Sequence, residues 1–431
     1  IEMVKFAIIG AGSRGLRSYG KWIHDNPQVA QVVSVGDPLD KRCKEAVDLF
    51  DIAQDQVFNG WKELLDAPKI ADAVIIATTD SDHVEPAILA AKRGYHILLE
   101  KPMAPTAQEC VRIVDSVQSS GVLFTICHVL RYAPFYRKIK QLIDTGRVGK
   151  VCAIKHLEGI AWWHFAHSYV RGNWRNEALS SNILLAKCCH DLDILNWYAG
   201  SKCKNVQSFG ELKYFCSENA PEGSAKRCMD CKYGLSGCVY SARKYYFENL
   251  EKGSHNWPLD VVTNTMTPEA LETALRDGPY GRCVFHCDND VMDTQSVNIE
   301  YENGLTVSMM LSAFTPHGRK IQIMGSDGFI EGDGNEIRIL DFHTDQYETI
   351  DVNTLRDDVA GGHGGGDSGL MNAFVEAVEA KSYGPISGDA MLMLESHLLA
   401  FAAEVSRKQN RVVNFRNYCK KWFSTNKVGE I

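Results

Sequence analysis

Residues 6–15, FAIIGAGSRG, decide how the chain is read. An apolar run over 4–9 stops at Gly10, and a helical pattern begins at about 14. Between them Gly10, Gly12 and Gly15 spell G-x-G-x-x-G. The first glycine permits a tight turn, the second lets backbone approach a pyrophosphate, and the third lets helix pack on strand. The helix start offers free N–H groups and a partial positive charge to the phosphates. The pattern alone is weak, because 35 glycines produce chance matches. Its context is stronger: Asp37 closes the next apolar run about 20 residues on, where an acid binds ribose hydroxyls. A carboxylate there repels the extra phosphate of NADP and favours NAD, although Lys41 and Arg42 nearby weaken that preference. The plainer reading is a glycine-rich turn with a surface aspartate.

Outward from this turn, apolar runs at 4–9, 32–35, 73–77, 97–99 and 122–127 alternate with helical patterns near 14–25, 39–50, 84–93 and 106–119. Strands apolar on both faces and separated by helices imply a parallel sheet covered on both sides. Thr106-Ala-Gln-Glu109 is a capping box for the last of these helices. The expected organisation is a Rossmann dinucleotide-binding domain over 1–127 and an α/β substrate and oligomerisation domain over 128–431. In the second part, 293–313 alternates apolar and polar about Glu302-Asn303-Gly304, an Asn-Gly hairpin signal. Ser326-Asp327-Gly328 predicts another turn. A mainly antiparallel sheet follows, so the fold class is α/β with a C-terminal α+β domain. A final helical pattern at about 388–408 is expected to pack back on the first domain.

A net charge of −8 argues against nucleic acid or anionic membrane as a partner. No apolar stretch reaches the roughly 20 residues of a membrane span, and the first residues lack secretion-signal blocks. Fourteen cysteines without such a signal read mostly as buried thiols in a reducing cytoplasm.

The stretch HILLEKPMAP, 96–105, ends a strand with Glu100-Lys101-Pro102. Ligands of open parallel sheets bind beyond the carboxyl ends of the strands, so this pair sits at the cofactor edge. Pro102 pushes Lys101 towards extended backbone. An amine beside a cationic ring and shielded from water has a lowered pKa and suits proton transfer. The plainer reading is a surface ion pair capping a loop.

AIIGAGSRG, SVGDP, ATTDSDHVEPAILAAKRGYHILLEKPMA, RYAPFYRKIKQLIDTGRVGKV and CCHDLDILNWYAG together resemble the Gfo/Idh/MocA family of nicotinamide-dependent oxidoreductases. The resemblance covers the first 200 residues, and the later half is consistent with the family's antiparallel domain. It implies oxidation or reduction of sugar-like polyols and a large sheet that often forms oligomer contacts. By position, Lys101 resembles the catalytic lysine and His190 the catalytic histidine. Ser13, Arg14, Thr78, Thr79, His83, Glu100 and His128 are implied around the cofactor. Many members carry an aspartate four residues before the histidine; here that residue is Ala186, followed by Lys187, so the third role stays open.

KCCHDLDILNWYAG reads as a helix ending at Gly200, with His190, Ile194 and Trp197 on one face. Lys187 and Asp191 are substrate candidates beside it. GIAWWHFAHSYVRGNW places Trp163 and His164 in an aromatic stretch suited to a sugar, or simply to a loop core. Arg131 and Tyr132 in HVLRYAP, and His363 and Asp367 in GGHGGGDSGL, are expected near the same cleft, with Asp367 or Ser368 capping a helix. Cys216, Cys228, Cys231 and Cys238, in a Cys-rich insertion near 214–245, suggest a structural zinc or other metal. Cys283, His286 and Cys287 are further ligand candidates, and an iron–sulfur cluster or redox disulfides are rival uses.

The leading expectation is an NAD-dependent dehydrogenase acting on a sugar, cyclitol or derivative, as a cytoplasmic homo-oligomer (dimer or tetramer). The alternatives are an NAD-dependent glycosidase working through transient oxidation and elimination, and a non-catalytic dinucleotide sensor.

Overall fold

Six parallel strands build the first sheet: β1 (Val4–Ile9), β2 (Ala30–Gly36), β3 (Val57–Phe58), β4 (Ala73–Ile76), β5 (His96–Leu99) and β6 (Phe124–Ile126), in the order β3-β2-β1-β4-β5-β6. The computed structural model describes residues 3–316, 318–355, 362–386 and 388–423. The sequence order reverses at the β1–β4 neighbours, which opens a crevice beyond their carboxyl ends. β3 has only two residues, too short to register as an apolar run. The capping box forms as read: Thr106 Oγ1 accepts from Glu109 N at 3.3 Å and donates to Glu109 Oε2 at 2.7 Å, starting the helix Ala107–Ser120.

One face of this sheet is covered from far along the chain. The helix Gly366–Ala380 lays Leu370, Met371 and Phe374 on Phe6 and Ile8 of β1, with the rings of Phe6 and Phe374 6.2 Å apart. Burying this apolar surface removes it from water, and that is what recruits the late helix. The helix Ala390–Gln409 follows and joins the two halves: His397 Nε2 accepts from Met103 N at 2.8 Å, and Met393 Sδ accepts from Ile126 N at 3.2 Å.

The second sheet has nine strands: β7 (Val151–Gly159), β8 (Cys203–Glu211), β9 (Thr294–Tyr301), β10 (Thr306–Ser312), β11 (Gly318–Gly325), β12 (Gly328–Gly332), β13 (Glu336–Asp341), β14 (Gln346–Asp351) and β15 (Val413–Asn414). Their order is β14-β13-β12-β11-β7-β10-β9-β8-β15, and every neighbouring pair is antiparallel except β7 with β10. Gly304, at φ +85°, makes the β9–β10 hairpin turn where Asn-Gly predicted it. The inner face of β7 carries Ile154, His156 and Glu158, all buried. The outer face is left open: Phe209, Ser296, Met310, Leu157 and Lys320 form one cross-strand row over five strands, with Phe209 and Met310 exposed.

Among the described residues no helix is long and apolar enough to cross a membrane. All fourteen cysteines are free thiols.

Candidate active site

The glycine turn is built as its spacing requires. Gly10 has φ +87°, and a Cβ there would meet Ala77 O at 2.6 Å. A Cβ on Gly15 would meet Gly10 O at 2.0 Å, so the third glycine is fixed by close packing of helix on turn. Gly12 differs. A Cβ there meets nothing nearer than the Arg42 guanidinium at 3.6 Å, so the fold does not demand glycine at this position. The helix that starts at Ser13 has no side-chain cap, and its first N–H groups stay available to phosphate. Asp37 is buried: Oδ2 accepts from Ala11 N and Oδ1 from Leu39 N, each at 2.9 Å. It therefore ties the end of β2 to the glycine turn. The Arg42 guanidinium stands 3.5 Å from the same carboxylate. The uncapped helix start, the space above Gly12 and this acid fit a dinucleotide.

Three distant segments meet at Arg14. Its Nε donates to Glu100 Oε1 at 2.6 Å, and its terminal nitrogens donate to Asp367 at 2.9 and 3.0 Å. Tyr19 OH also donates to Glu100 Oε1, at 2.6 Å. Burial pushes the Glu100 carboxyl up, but the Arg14 charge and then Lys101 outweigh it and hold it below the usual range. Asp367 does not cap its helix as expected. Gly365 occupies that position with no side-chain bond, because the carboxylate is drawn to Arg14 and to His363 Nδ1, 3.1 Å away. Glu100 and Arg14 thus hold the cofactor edge together.

Lys101 follows Glu100, and the Lys101–Pro102 peptide is cis. Its Nζ donates to Ala186 O at 3.1 Å. Ala186 ends a short helix, Ile183–Ala186, just before the helix Cys189–Ala199 that carries His190. A backbone carbonyl therefore receives the amine at the position where many relatives carry aspartate. The His190 ring lies 6.0 Å from that of His128 and 6.1 Å from that of His363, and its buried Nδ1 has no hydrogen-bond partner. Burial first, then the Lys101, His128 and His363 charges, push the His190 pKa well below its ordinary value. The imidazole is therefore held in its neutral form.

The other expected residues divide into those that frame this centre and those that do not reach it. His128 Nδ1 lies 3.1 Å from Asp193 Oδ1. Arg131 is buried and spends its guanidinium on the same Asp193, at 2.6 and 2.8 Å, so it is not presented to a substrate. Burial raises the Asp193 carboxyl, but Arg131 and then His128 hold it well below the usual range. Tyr132 packs beneath the helix Gly366–Ala380, close to Gly369. His83 is fully buried between Pro102 O, 2.8 Å, and Thr78 O, 3.3 Å, joining the loops after β4 and β5. The hydroxyls of Thr78 and Thr79 bond to Asp82 within their own loop.

Asp191 is completely buried and is held by His156 Nε2 at 2.6 Å and Arg319 Nε at 2.7 Å. Arg319 also meets Glu158 at 2.7 Å, and Lys187 Nζ stands 3.5 Å from Glu158. This chain of charges fixes the floor beneath His190. Trp163 stacks on His164 and Tyr245 and meets Trp257 at a tilt, joining the aromatic stretch to the Cys-rich insertion. Cys216 stands apart from the expected thiol cluster, its Sγ engaged with Lys213 O and Asn219 Nδ2. Cys228, Cys231 and Cys238 instead share a cavity with Cys283. His156, Glu158, Tyr19 and Arg319 are the supporting residues not anticipated from sequence. His156 and Glu158 had a signal, since they are polar at inward positions of an alternating strand.

A family model described as an oxidoreductase family with an NAD-binding Rossmann fold matches residues 4–128, and one for its C-terminal alpha/beta domain matches 140–393. The chain belongs to the Gfo/Idh/MocA oxidoreductase family. It is an enzyme of this NAD-binding oxidoreductase family, acting on CH–OH groups. YteT of Bacillus subtilis (strain 168) is 28% identical over 317 residues, covering 70% of this chain and 71% of that protein. The scyllo-inositol 2-dehydrogenase (NAD(+)) of the same strain is 28% identical over 256 residues, covering 56% and 68%. The solved WlbA dehydrogenase of Bordetella pertussis, in complex with NADH and UDP-GlcNAcA, has TM-score 0.66 at 16% identity. It covers 96% of this chain and 98% of that one, a likeness of fold.

Proposed function

We propose that the protein is an NAD-dependent dehydrogenase of a sugar or cyclitol, with Lys101 and His190 handling the hydroxyl proton. The observation that carries this reading is the Lys101 amine on Ala186 O, beside a buried neutral His190, at the carboxyl edge of the dinucleotide sheet. NAD, when bound, supplies the hydride acceptor. His190 takes the proton from the substrate hydroxyl as the C–H bond breaks and C=O forms. The Lys101 ammonium stabilises negative charge developing on that oxygen. His363, steadied by Asp367 and 40% exposed in its side chain, has its ring 6.1 Å from that of His190 and serves as the exit for the proton. It fills the role that Ala186 leaves open.

The test is a screen of inositols, aldoses and aryl glycosides with NAD and NADP, following reduced cofactor and released aglycone together. Reduced NAD in proportion to an oxidised polyol is the expected result. Aglycone release without net NADH would replace the dehydrogenase by a glycosidase, and binding of NAD without turnover on any compound would leave a sensor.

The open sheet face supports a homo-oligomer. Phe209 and Met310 stand about half exposed in one cross-strand row of the sheet, and such apolar patches mark contacts between chains. Light scattering is expected to give a dimer or tetramer for the native chain and a smaller species for Met310→Asp. A native monomer at micromolar concentration would refute the assignment.

A further inference from the structure

The Cys-rich insertion holds a feature the redox centre does not use. Cys228, Cys231, Cys238 and Cys283 line one cavity of about 20 Å³, room for roughly one water-sized occupant. Cys228 and Cys283 are brought together by a short antiparallel contact: Cys228 N donates to Gly281 O at 2.8 Å and Cys283 N to Lys226 O at 2.9 Å, flanking an Arg227–Arg282 bridge. Cys231 opens a turn closed by Gly234 N on Cys231 O at 2.9 Å. Gly234 is required there, because a Cβ would meet Cys228 O at 2.4 Å.

A second observation is independent of the sulfurs. Arg171 is buried, and its guanidinium donates to Arg282 O at 2.7 Å, Tyr240 O at 2.6 Å and Cys228 Sγ at 3.7 Å. Among the described residues no ion pair joins it to a carboxylate, and the charge neighbours it meets are Cys228, Tyr246 and Cys287. A buried cation without an anion is costly. The neighbouring groups that can carry negative charge are the thiols.

We propose that Cys228, Cys231, Cys238 and Cys283 bind a single thiophilic metal ion, Zn2+, as a tetrahedral tetrathiolate. Four thiolates on a divalent ion carry net charge −2, which supplies Arg171 with its counter-charge. As they stand the four sulfurs do not all lie within 4.8 Å of one another, so binding, which releases four protons, requires them to move inward. Among the described residues the ligand atoms that all lie within 4.8 Å of one another belong to His128, Cys189 and His397. That set is excluded, because His397 donates through Nδ1 to Met393 O and accepts at Nε2 from Met103 N, leaving no free lone pair. The tetrathiolate pins one end of an insertion whose other end reaches the cofactor helix, where Asp260 meets Arg17 at 3.4 Å. It therefore anchors Trp257 against Trp163 and His167.

The test is metal analysis of the full-length protein purified without added metal, by mass spectrometry and by colorimetric zinc release with a mercurial. One zinc per chain is expected. Cys283→Ser and Cys238→Ser are expected to lose it, and Cys216→Ser to retain it at full stoichiometry. If the first two variants do not fold, the native stoichiometry and the Cys216→Ser control still decide. Iron with acid-labile sulfide overturns the single-ion assignment. Native protein without metal, its four sulfurs titrating as thiols or paired as disulfides, overturns the site, as does a Cys283→Ser variant that keeps its zinc. The readout is stoichiometry and does not depend on which polyol the enzyme oxidises.

Discussion

Lys101→Ala lowers kcat by about 10²–10⁴-fold, roughly 3–5 kcal/mol of transition-state stabilisation, while the affinity for NADH stays within a few-fold of native. The split follows from position. The amine lies on Ala186 O beside His190, whereas the phosphate-facing turn at Gly12 and the acid at Asp37 belong to other loops. Steady-state kinetics and a fluorescence titration with NADH measure the two halves separately. Normal turnover in the variant would remove Lys101 from the mechanism, and a matching loss of NADH affinity would reassign it to cofactor binding. The same centre gives a pH signature. The His190 pKa lies below its ordinary 6.5, chiefly through burial. A depressed value keeps the imidazole unprotonated as pH falls through 6.5, so the acid limb of the kcat profile is expected below that point. His190→Asn should remove that limb along with most of the activity.

Gly12→Ala abolishes productive dinucleotide binding without unfolding the chain. The added Cβ finds no protein atom nearer than 3.6 Å, and that atom is the end of a flexible arginine. Thermal stability is therefore expected within about 0.5 kcal/mol of native, the ordinary range for an uncrowded substitution. The methyl group occupies the space through which backbone approaches a pyrophosphate. Affinity for NAD and NADH should fall at least about 100-fold, near 2.7 kcal/mol. Gly15→Ala is the contrast, since its Cβ would sit 2.0 Å from Gly10 O and so disturbs the fold itself. Native NADH affinity in Gly12→Ala would mean that the turn does not carry the phosphates.

Local pattern made much of the first sheet legible. β1 and β2 are apolar runs, the glycines mark a turn between strand and helix, and Thr106 with Glu109 forms the cap its spacing predicts. The Asn303-Gly304 hairpin was equally plain, because the three-residue loop 302–304 closed by Tyr301 N on Leu305 O needs a last residue at positive φ and Gly304 supplies it. Lys101 and His190 were found through motif and resemblance. Their partners were not legible: Asp191 and Asp193 sit two residues apart on one helix, yet one goes to Arg319 and the other to Arg131. Of the expected thiols, Cys228, Cys231 and Cys238 line one cavity with Cys283, a further candidate from far along the chain, while Cys216 bonds Lys213 O and Asn219.

What the sequence determined by itself was the dinucleotide half and the places of Lys101 and His190 at a strand end and on a helix, because those signals lie within single turns, strands and helices whose geometry is set by neighbouring residues. Tertiary structure alone decided that Gly366–Ala380 covers β1, that Arg14 joins Glu100 to Asp367, and that a carbonyl at Ala186 receives the amine. These are contacts between segments far apart in the chain. They are selected by burial of apolar surface and by the need of each buried charge for a partner, and neither requirement leaves a periodic trace in the sequence.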